Sequence, residues 1–185
     1  MTVGELRIEV AEDRWVSAEM RAVRDFWRRL AGDRIGPAWH EFNMDDLPAR
    51  ALQWSVVVEV VIDPDGRPDF ICRFWGQERA RLLGHDMTGR SIRNLPVMRD
   101  KVWEQYLAVL ARRQALYFSH EHELSDGLRP AFESLRLPLS DDGQTVNRIF
   151  SMTRFTELAA GHYQVFGVDG PMVDGGDDGA SPLDR

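Results

Sequence analysis

Two histidines that stand two residues apart form a pattern typical of a metal-binding pair. His120 and His122 flank Glu121 in the stretch ALYFSHEHEL. Because side chains two apart on a strand point to the same side, both imidazoles could bind one metal ion. Zinc sites need three or four ligands, and no cluster of cysteine and histidine completes this pair. We therefore interpret both histidines as surface residues of a strand and predict no metal site.

No other motif indicates catalysis. The sequence has no glycine-rich phosphate loop, no Gly-x-Ser-x-Gly turn and no paired carboxylates at a strand end. No nucleophile stands in a pattern with a base. We predict a protein that is not an enzyme and that holds no cofactor. The alternative is a small cone-shaped α+β enzyme with a His/Asp pocket.

Charge and composition limit the partners. The net charge is −7, so nucleic acid is not expected as a partner. Four positive residues do lie close together in the sequence, namely Arg90, Arg93, Arg99 and Lys101. They form either a solvated face or a site for a phosphate or an acidic partner. No apolar run is long enough for a membrane span, and the N-terminus is charged. With its single cysteine, Cys72, the chain is expected to be cytoplasmic.

A broad apolar stripe predicts an N-terminal helix from about Trp15 to Leu30. Steps of four and three residues separate its members. The stripe, with Phe26 beside it, consists of Val16, Met20, Val23, Trp27 and Leu30. Such a face must be buried, either on the sheet of its own chain or against a second copy. We predict that these six residues form a homodimer interface.

The remaining pattern predicts an α+β domain. SVVVEVVI and DFICRFW read as a hairpin of two strands around the turn DPDGRP. A short helix ending at Gly84 and a longer amphipathic helix follow, and three more alternating strands complete the set. We predict a five-stranded antiparallel sheet with helices on one face, plus the extra N-terminal helix.

This order and several motifs resemble the PAS fold, and in detail the bacterial single-domain family called PAS_5. The resemblance extends from about residue 18 to residue 155. It includes the Phe26-Trp27 pair, CRFWG at the end of the second strand, LLGHDMTGR and LRLPLSDDG. The family positions that carry structure correspond here to Arg73, Gly76, Gly84, Asp86, Thr88, Gly89 and Arg90. An ion pair of Arg73 with Asp86 is one expectation, and two unpaired exposed groups are the other.

The resemblance implies a sensory or signalling module that binds a small ligand or a protein partner. Any output domain is expected in another protein. A pocket between sheet and helices is the usual ligand site, where one possible ligand is small and apolar. Because aromatic residues crowd this region, we expect at best a small cavity that side chains nearly fill. By strand alternation its candidate lining residues are Phe70, Cys72 and Phe74, with Val102 and Tyr106 opposite. The triplet Cys-Arg-Phe resembles the flavin-adduct motif of light-sensing PAS relatives, but the period around Cys72 is that of a strand, which favours a core residue.

Four segments follow from this interpretation. Residues 1–13 are an N-terminal extension, and 14–36 hold the amphipathic helix. Residues 37–160 form the PAS-like domain. Residues 161–185 are a tail rich in glycine and aspartate, which we predict to be disordered.

Overall fold

A computed structural model describes residues 7–10, 17–96, 98–121 and 131–155. Its strands within these ranges are β1 (Arg7–Val10), β2 (Ser55–Ile62), β3 (Pro68–Trp75), β4 (Leu116–Glu121), β5 (Ala131–Leu139) and β6 (Arg148–Phe155). Its α-helices are α1 (Ala18–Ala31), α2 (Ala49–Gln53), α3 (Gln77–Leu83) and α4 (Arg99–Arg112). Short 3₁₀ turns span Met44–Asp46 and Ile92–Asn94.

The strands form one antiparallel sheet in the order β1-β4-β5-β6-β2-β3. Five of them are the predicted strands, and α3 and α4 lie between β3 and β4 in the chain as expected. The strand β1 lies inside the segment 1–13, for which no strand was predicted, and pairs with β4 from Arg7↔Ser119 to Val10↔Leu116. Four residues are too few to show a reliable alternation, so only the pairing partner reveals this strand.

Helices cover both faces of the sheet. On one side, which we call the α1 face, α1 and the segment after it pack on side chains of the central strands, including Leu135, Leu137 and Phe150. On the other side, the α3/α4 face, residues of α3, α4 and their connecting loop pack on Val58, Phe70 and other residues of the sheet. The extra N-terminal helix is therefore the cover of the second face, which makes the domain three layers thick.

The apolar stripe of α1 is buried in the chain's own core. Ser17 caps the helix by accepting a hydrogen bond from the Met20 backbone N–H at 3.2 Å. Met20 and Val23 are both 0% exposed, and Trp27 donates its indole N–H to the Pro138 carbonyl at 2.7 Å. These three side chains leave no surface for a second copy, which corrects their assignment to a dimer interface. Phe26 and Leu30 are only partly buried and pack on the same core, while Val16 lies outside the described residues.

A β-bulge changes which way the end of β3 faces. The register of β2 and β3 shifts between Val57 and Val58, which pair with Phe74 and Cys72, so Arg73 has no partner position of its own. Beyond the bulge the alternation reverses. Phe74 therefore packs on the α1 face, and the prediction that it shares a face with Phe70 and Cys72 is wrong.

The glycine-bounded loop after α3 covers the edge of the sheet. Because β3 is an edge strand, its outer backbone groups need partners. The Gly89 N–H donates to the Cys72 carbonyl at 2.8 Å, and the Cys72 N–H donates to the Arg90 carbonyl at 2.9 Å. Asp86 stabilises this loop by accepting hydrogen bonds from the backbone N–H and the hydroxyl of Thr88, both at 2.7 Å. These contacts explain why the predicted motif follows the strand so closely.

Two glycines allow the chain to pass from β3 into this loop. Gly84 ends α3 in the left-handed region, at φ 73°. Gly76 has an ordinary φ of −61°, so glycine is needed there because a side chain would not fit, and not for its backbone conformation. A Cβ at residue 76 would lie 2.3 Å from the Gln53 carbonyl oxygen and 2.6 Å from that of Leu52. Glycine is required there because the end of α2 approaches the start of α3.

Candidate ligand-binding site

The interior between the α3/α4 face and its helices is built mainly from apolar and aromatic side chains. Phe70 of β3 stacks on Tyr106 of α4 with ring centroids 5.0 Å apart and meets the edge of Trp103 at 4.8 Å. Cys72 is fully buried beside them, and Val102 is partly buried against the same cluster. Of the five residues predicted to line a ligand site, all except Phe74 lie in this interior.

Arg136 places a positive charge inside this apolar interior. It stands on β5, is 4% exposed and points to the α3/α4 face. Its Nε donates to Gln105 Oε1 at 2.9 Å and its Nη1 donates to Ser151 Oγ at 2.9 Å. Its guanidinium carbon lies 4.2 Å from the ring centroid of Tyr106. All these partners are neutral, and no carboxylate of the described residues pairs with Arg136.

Arg79 is a second arginine in this region, contributed by α3. It is half-buried, and its guanidinium carbon lies 4.8 Å from the ring of Trp75. Its Nε is buried and has no hydrogen-bond partner within the part of the chain that the structure describes. The indole N–H of Trp75 is likewise buried and unpartnered there. Two buried N–H donors without acceptors, the Nε–H of Arg79 and the indole N–H of Trp75, therefore belong to neighbouring side chains.

The electrostatics of the interior follow from burial. Desolvation lowers the pKa of Arg79 to about 10, an effect that Tyr106 opposes and the positive charge of Arg136 increases. Burial also lowers the pKa of Arg136. The same cause raises the pKa of the Cys72 thiol to about 12, although the charge of Arg79 acts against it. At neutral pH both arginines are charged and Cys72 is a neutral thiol.

The polar members of this site were not predicted from the sequence; they are Arg79, Gln105, Arg136 and Ser151. A signal for Arg136 was present in the strand LRLPL, where this residue alternates with leucines. Alternation places such a residue on the opposite face from the leucines, and an opposite face is normally solvated. Here that face is covered by α3 and α4, so the arginine is buried.

The residues assigned to the structural motif lie around the site rather than in it. Arg73 and Asp86 are both exposed, but Arg73 pairs with Glu59 on the neighbouring strand, so neither a pair of Arg73 with Asp86 nor an unpaired Arg73 is found. The bulge turns Arg73 toward solvent, where it pairs with Glu59 of β2. Asp86 instead binds Thr88, and its pKa is lowered, chiefly by the hydrogen bonds from that residue.

The positive residues after this loop have local partners. Arg93 lies over the ring of Trp103 at 3.8 Å and 3.9 Å from a carboxylate oxygen of Asp69. Arg99 pairs with the adjacent Asp100. Both arginines are exposed. These contacts favour the interpretation of this cluster as a solvated face.

The histidine pair cannot be placed. His122 and the side chain of His120 lie outside the described residues. Among the residues that are described, no three of histidine, cysteine, aspartate and glutamate come together as metal ligands. No helix in the described ranges is both long enough and apolar enough to cross a membrane.

Comparison with known proteins gives likenesses in structure alone. No protein-family model and no curated protein matches the chain. An RNA-binding light-oxygen-voltage receptor matches with a TM-score of 0.42 and 13% identity, over 88% of this chain and 40% of the receptor. A light-oxygen-voltage domain matches with a TM-score of 0.41 and 19% identity, over 63% of this chain and 85% of that one.

A PAS domain of a protein from Colwellia psychrerythraea has a TM-score of 0.36 and 18% identity, over 58% of this chain and 92% of its own. These likenesses concern the fold alone. The order β4-β5-β6-β2-β3 and the helices inserted between β3 and β4 are those expected of the PAS arrangement. The chain therefore has an α+β domain with a PAS-like fold.

Proposed function

We propose that this protein is a sensory or signalling module of the PAS type, close to the PAS_5 family, that binds a small ligand between the α3/α4 face and its helices. One observation carries the proposal. A polar cluster of Arg136, Gln105, Tyr106 and Ser151 is buried in an otherwise apolar interior. Buried polar groups of this kind, set among aromatic rings, are the usual composition of a small-molecule site.

The alternative of a cone-shaped enzyme has less support. That class gathers most helices before its strands, whereas α3 and α4 here interrupt the strand series. The buried titratable side chains at the site are also poor proton carriers. The pKa of Cys72 is raised to about 12 and that of Arg79 is still about 10, so neither changes charge near neutral pH. These groups suit recognition better than acid–base catalysis.

Signalling by this module would use a surface, for a second copy or for another protein. The homodimer stays a prediction, and the buried stripe of α1 no longer supports it. The large apolar side chains exposed among the described residues are Val61, Ile62 and Leu107. Of these, Val61 and Ile62 end β2 next to the hairpin turn, so this end of the sheet is one place where a partner could bind.

The test is an NMR titration of the full chain with a library of small metabolites. We expect at least one compound to shift backbone resonances around Cys72, Tyr106 and Arg136 in a saturable way. Resonances of the α1 face, such as those of Val23, serve as the internal control. If no compound binds, or if the shifts cluster on the outer surface, the proposed site is wrong.

A further inference from the structure

Two guanidinium groups of the site, that of the buried Arg136 and that of the half-buried Arg79, lack compensating charge. The side chain of Arg136 bonds only neutral oxygens, and the Nε of Arg79 has no hydrogen-bond partner among the described residues. Neither arginine forms an ion pair in the described part of the chain. Because an isolated charge in a low-dielectric interior is strongly unfavourable, proteins normally pair it. Aromatic rings next to both groups give only part of that compensation.

The missing partner has a definable chemistry. The unpartnered groups of Arg79 and Trp75 are both N–H donors, so the partner must present acceptor atoms. Its charge must be negative, since a cation would be repelled by both guanidinium groups and a neutral acceptor would leave them uncompensated. Oxyanions meet both conditions, and a planar carboxylate or a phosphate matches the fork of an arginine.

We propose that the ligand of this module is a small oxyanion, held between Arg79 and Arg136 on the α3/α4 face with the indole N–H of Trp75 as a further donor. This inference rests on the proposed function and names its ligand class. It replaces the small apolar ligand that the sequence left as one possibility. The rings of Phe70 and Tyr106 line the same interior, so the apolar part of an organic acid can pack there.

The experiment is thermal unfolding of the full chain with three probes at equal ionic strength, set by sodium chloride. Benzoate carries a carboxylate on a ring, benzamide has the same shape without the charge, and inorganic phosphate supplies the oxyanion without a ring. We expect benzoate or phosphate at tens of millimolar to raise the Tm by about 3 °C or more, and benzamide to leave it unchanged. The anion that raises the Tm shows whether the ligand's oxyanion is a carboxylate, as in benzoate, or a phosphate.

Arg79→Met is the decisive variant. It keeps most of the side-chain volume and breaks no hydrogen bond to a described residue. We expect its Tm in chloride to equal or exceed that of the wild type, because a poorly compensated charge is removed, and its response to the anions to disappear. Arg81→Met is the matched control on the same helix, since Arg81 is exposed and pairs with Glu78. This control should respond as the wild type does.

Arg136→Met tests the other side of the site and should also lose the response; circular dichroism establishes that the variant is folded. The inference is overturned if neither anion stabilises the wild type or if Arg79→Met retains the full response. An equal shift by benzamide and benzoate also overturns it, but leaves the proposed small-molecule site intact. In that case the ligand is recognised by shape and not by charge.

Discussion

Carboxylates that accept backbone hydrogen bonds fix the loop between β5 and β6. Asp142 accepts from the backbone N–H of Gln144 at 2.8 Å and of Thr145 at 2.6 Å. Asp141 accepts from the Trp39 N–H at 2.9 Å and pairs with Arg148. These bonds favour the ionised carboxylates, so the pKa values of both aspartates are lowered. The loop therefore joins the segment after α1, at Trp39, to the hairpin of β5 and β6.

This geometry predicts how stability responds to acid. The native pKa of Asp142 lies below its unfolded value, so the unfolded chain binds the proton first. The stabilisation is complete above the ordinary aspartate pKa of 3.8 and is lost as the pH falls through the native value. We expect Asp142→Asn to lower the urea midpoint at pH 7 and to differ less from wild type near pH 2. Urea unfolding at a series of pH values measures this difference.

The control for this series is Asp46→Asn. Asp46 is exposed, and its carboxylate accepts no hydrogen bond from the described residues. Its midpoint should follow that of the wild type at every pH. A constant difference between Asp142→Asn and wild type from pH 7 to pH 2 would contradict the assigned role of the Asp142 charge.

At the scale of elements, the junction of β3 with α3 determines where Arg79 lies. The bulge at Arg73 reverses the alternation of β3, which turns Trp75 into the interior. Gly76 then lets α3 start directly against the end of α2. Because Arg79 lies on the first turn of α3, three residues past Gly76, its guanidinium reaches the ring of Trp75. Bulge, glycine and helix start together bring the donors of the site to one place.

Gly76→Ala should therefore destabilise the domain severely. The added methyl would clash with two carbonyl groups of the backbone, which cannot move as a side-chain end can. We expect a loss of about 3 kcal/mol or more, at the upper end of overpacking effects. Gly84→Ala is the comparison, because its Cβ meets open space and its cost is only the positive φ, about 1 kcal/mol. Chemical denaturation of the two variants measures both losses.

The order of these two losses is the informative result. If Gly84→Ala is the more destabilising change, or if Gly76→Ala matches wild type, α2 does not approach α3 as closely as described. The proposed position of Arg79 would then need revision, since it depends on this helix start.

At the scale of the molecule, α1 belongs to the core and stabilises the fold. Its stripe closes the second face of the sheet, so the helix is an integral layer of the domain. Oligomerisation and folding are therefore separate properties here, and variants of α1 can tell them apart. Any pairing of two copies must use surfaces other than Met20, Val23 and Trp27.

We expect light scattering at micromolar concentration to give twice the mass of one chain for the wild type. Val23→Glu should unfold the protein, because it buries an unpaired charge in the α1 face. Ala22→Glu is the matched control, since Ala22 is the next residue on the same helix and is exposed. It should leave both mass and circular dichroism unchanged. A folded, monomeric Val23→Glu would place α1 in a dimer interface after all, and a monomeric wild type would refute the dimer.

The sequence alone determined the local structure of this protein. β-branched strands, the turn DPDGRP, the glycine at the end of α3 and the stripe of α1 each depend on neighbours in the chain, so periodicity and turn chemistry predict them. The order of these elements then indicated a PAS-like sheet. It also placed Phe70, Cys72 and Tyr106 on facing surfaces, because helix and strand periods relate these residues without knowledge of the packing.

Which faces of the sheet exclude water depends on how the elements pack together. Whether the side of β5 opposite its leucines meets water or α4 depends on contacts between distant segments, and that choice made Arg136 a buried charge. The bulge in β3 is likewise a property of two paired strands, so alternation within β3 misplaced Phe74. The burial of the α1 stripe follows from the area of sheet that the other helices leave uncovered. The buried charge, on which the proposed anion site depends, is therefore a consequence of packing between distant segments. No local sequence pattern could predict it.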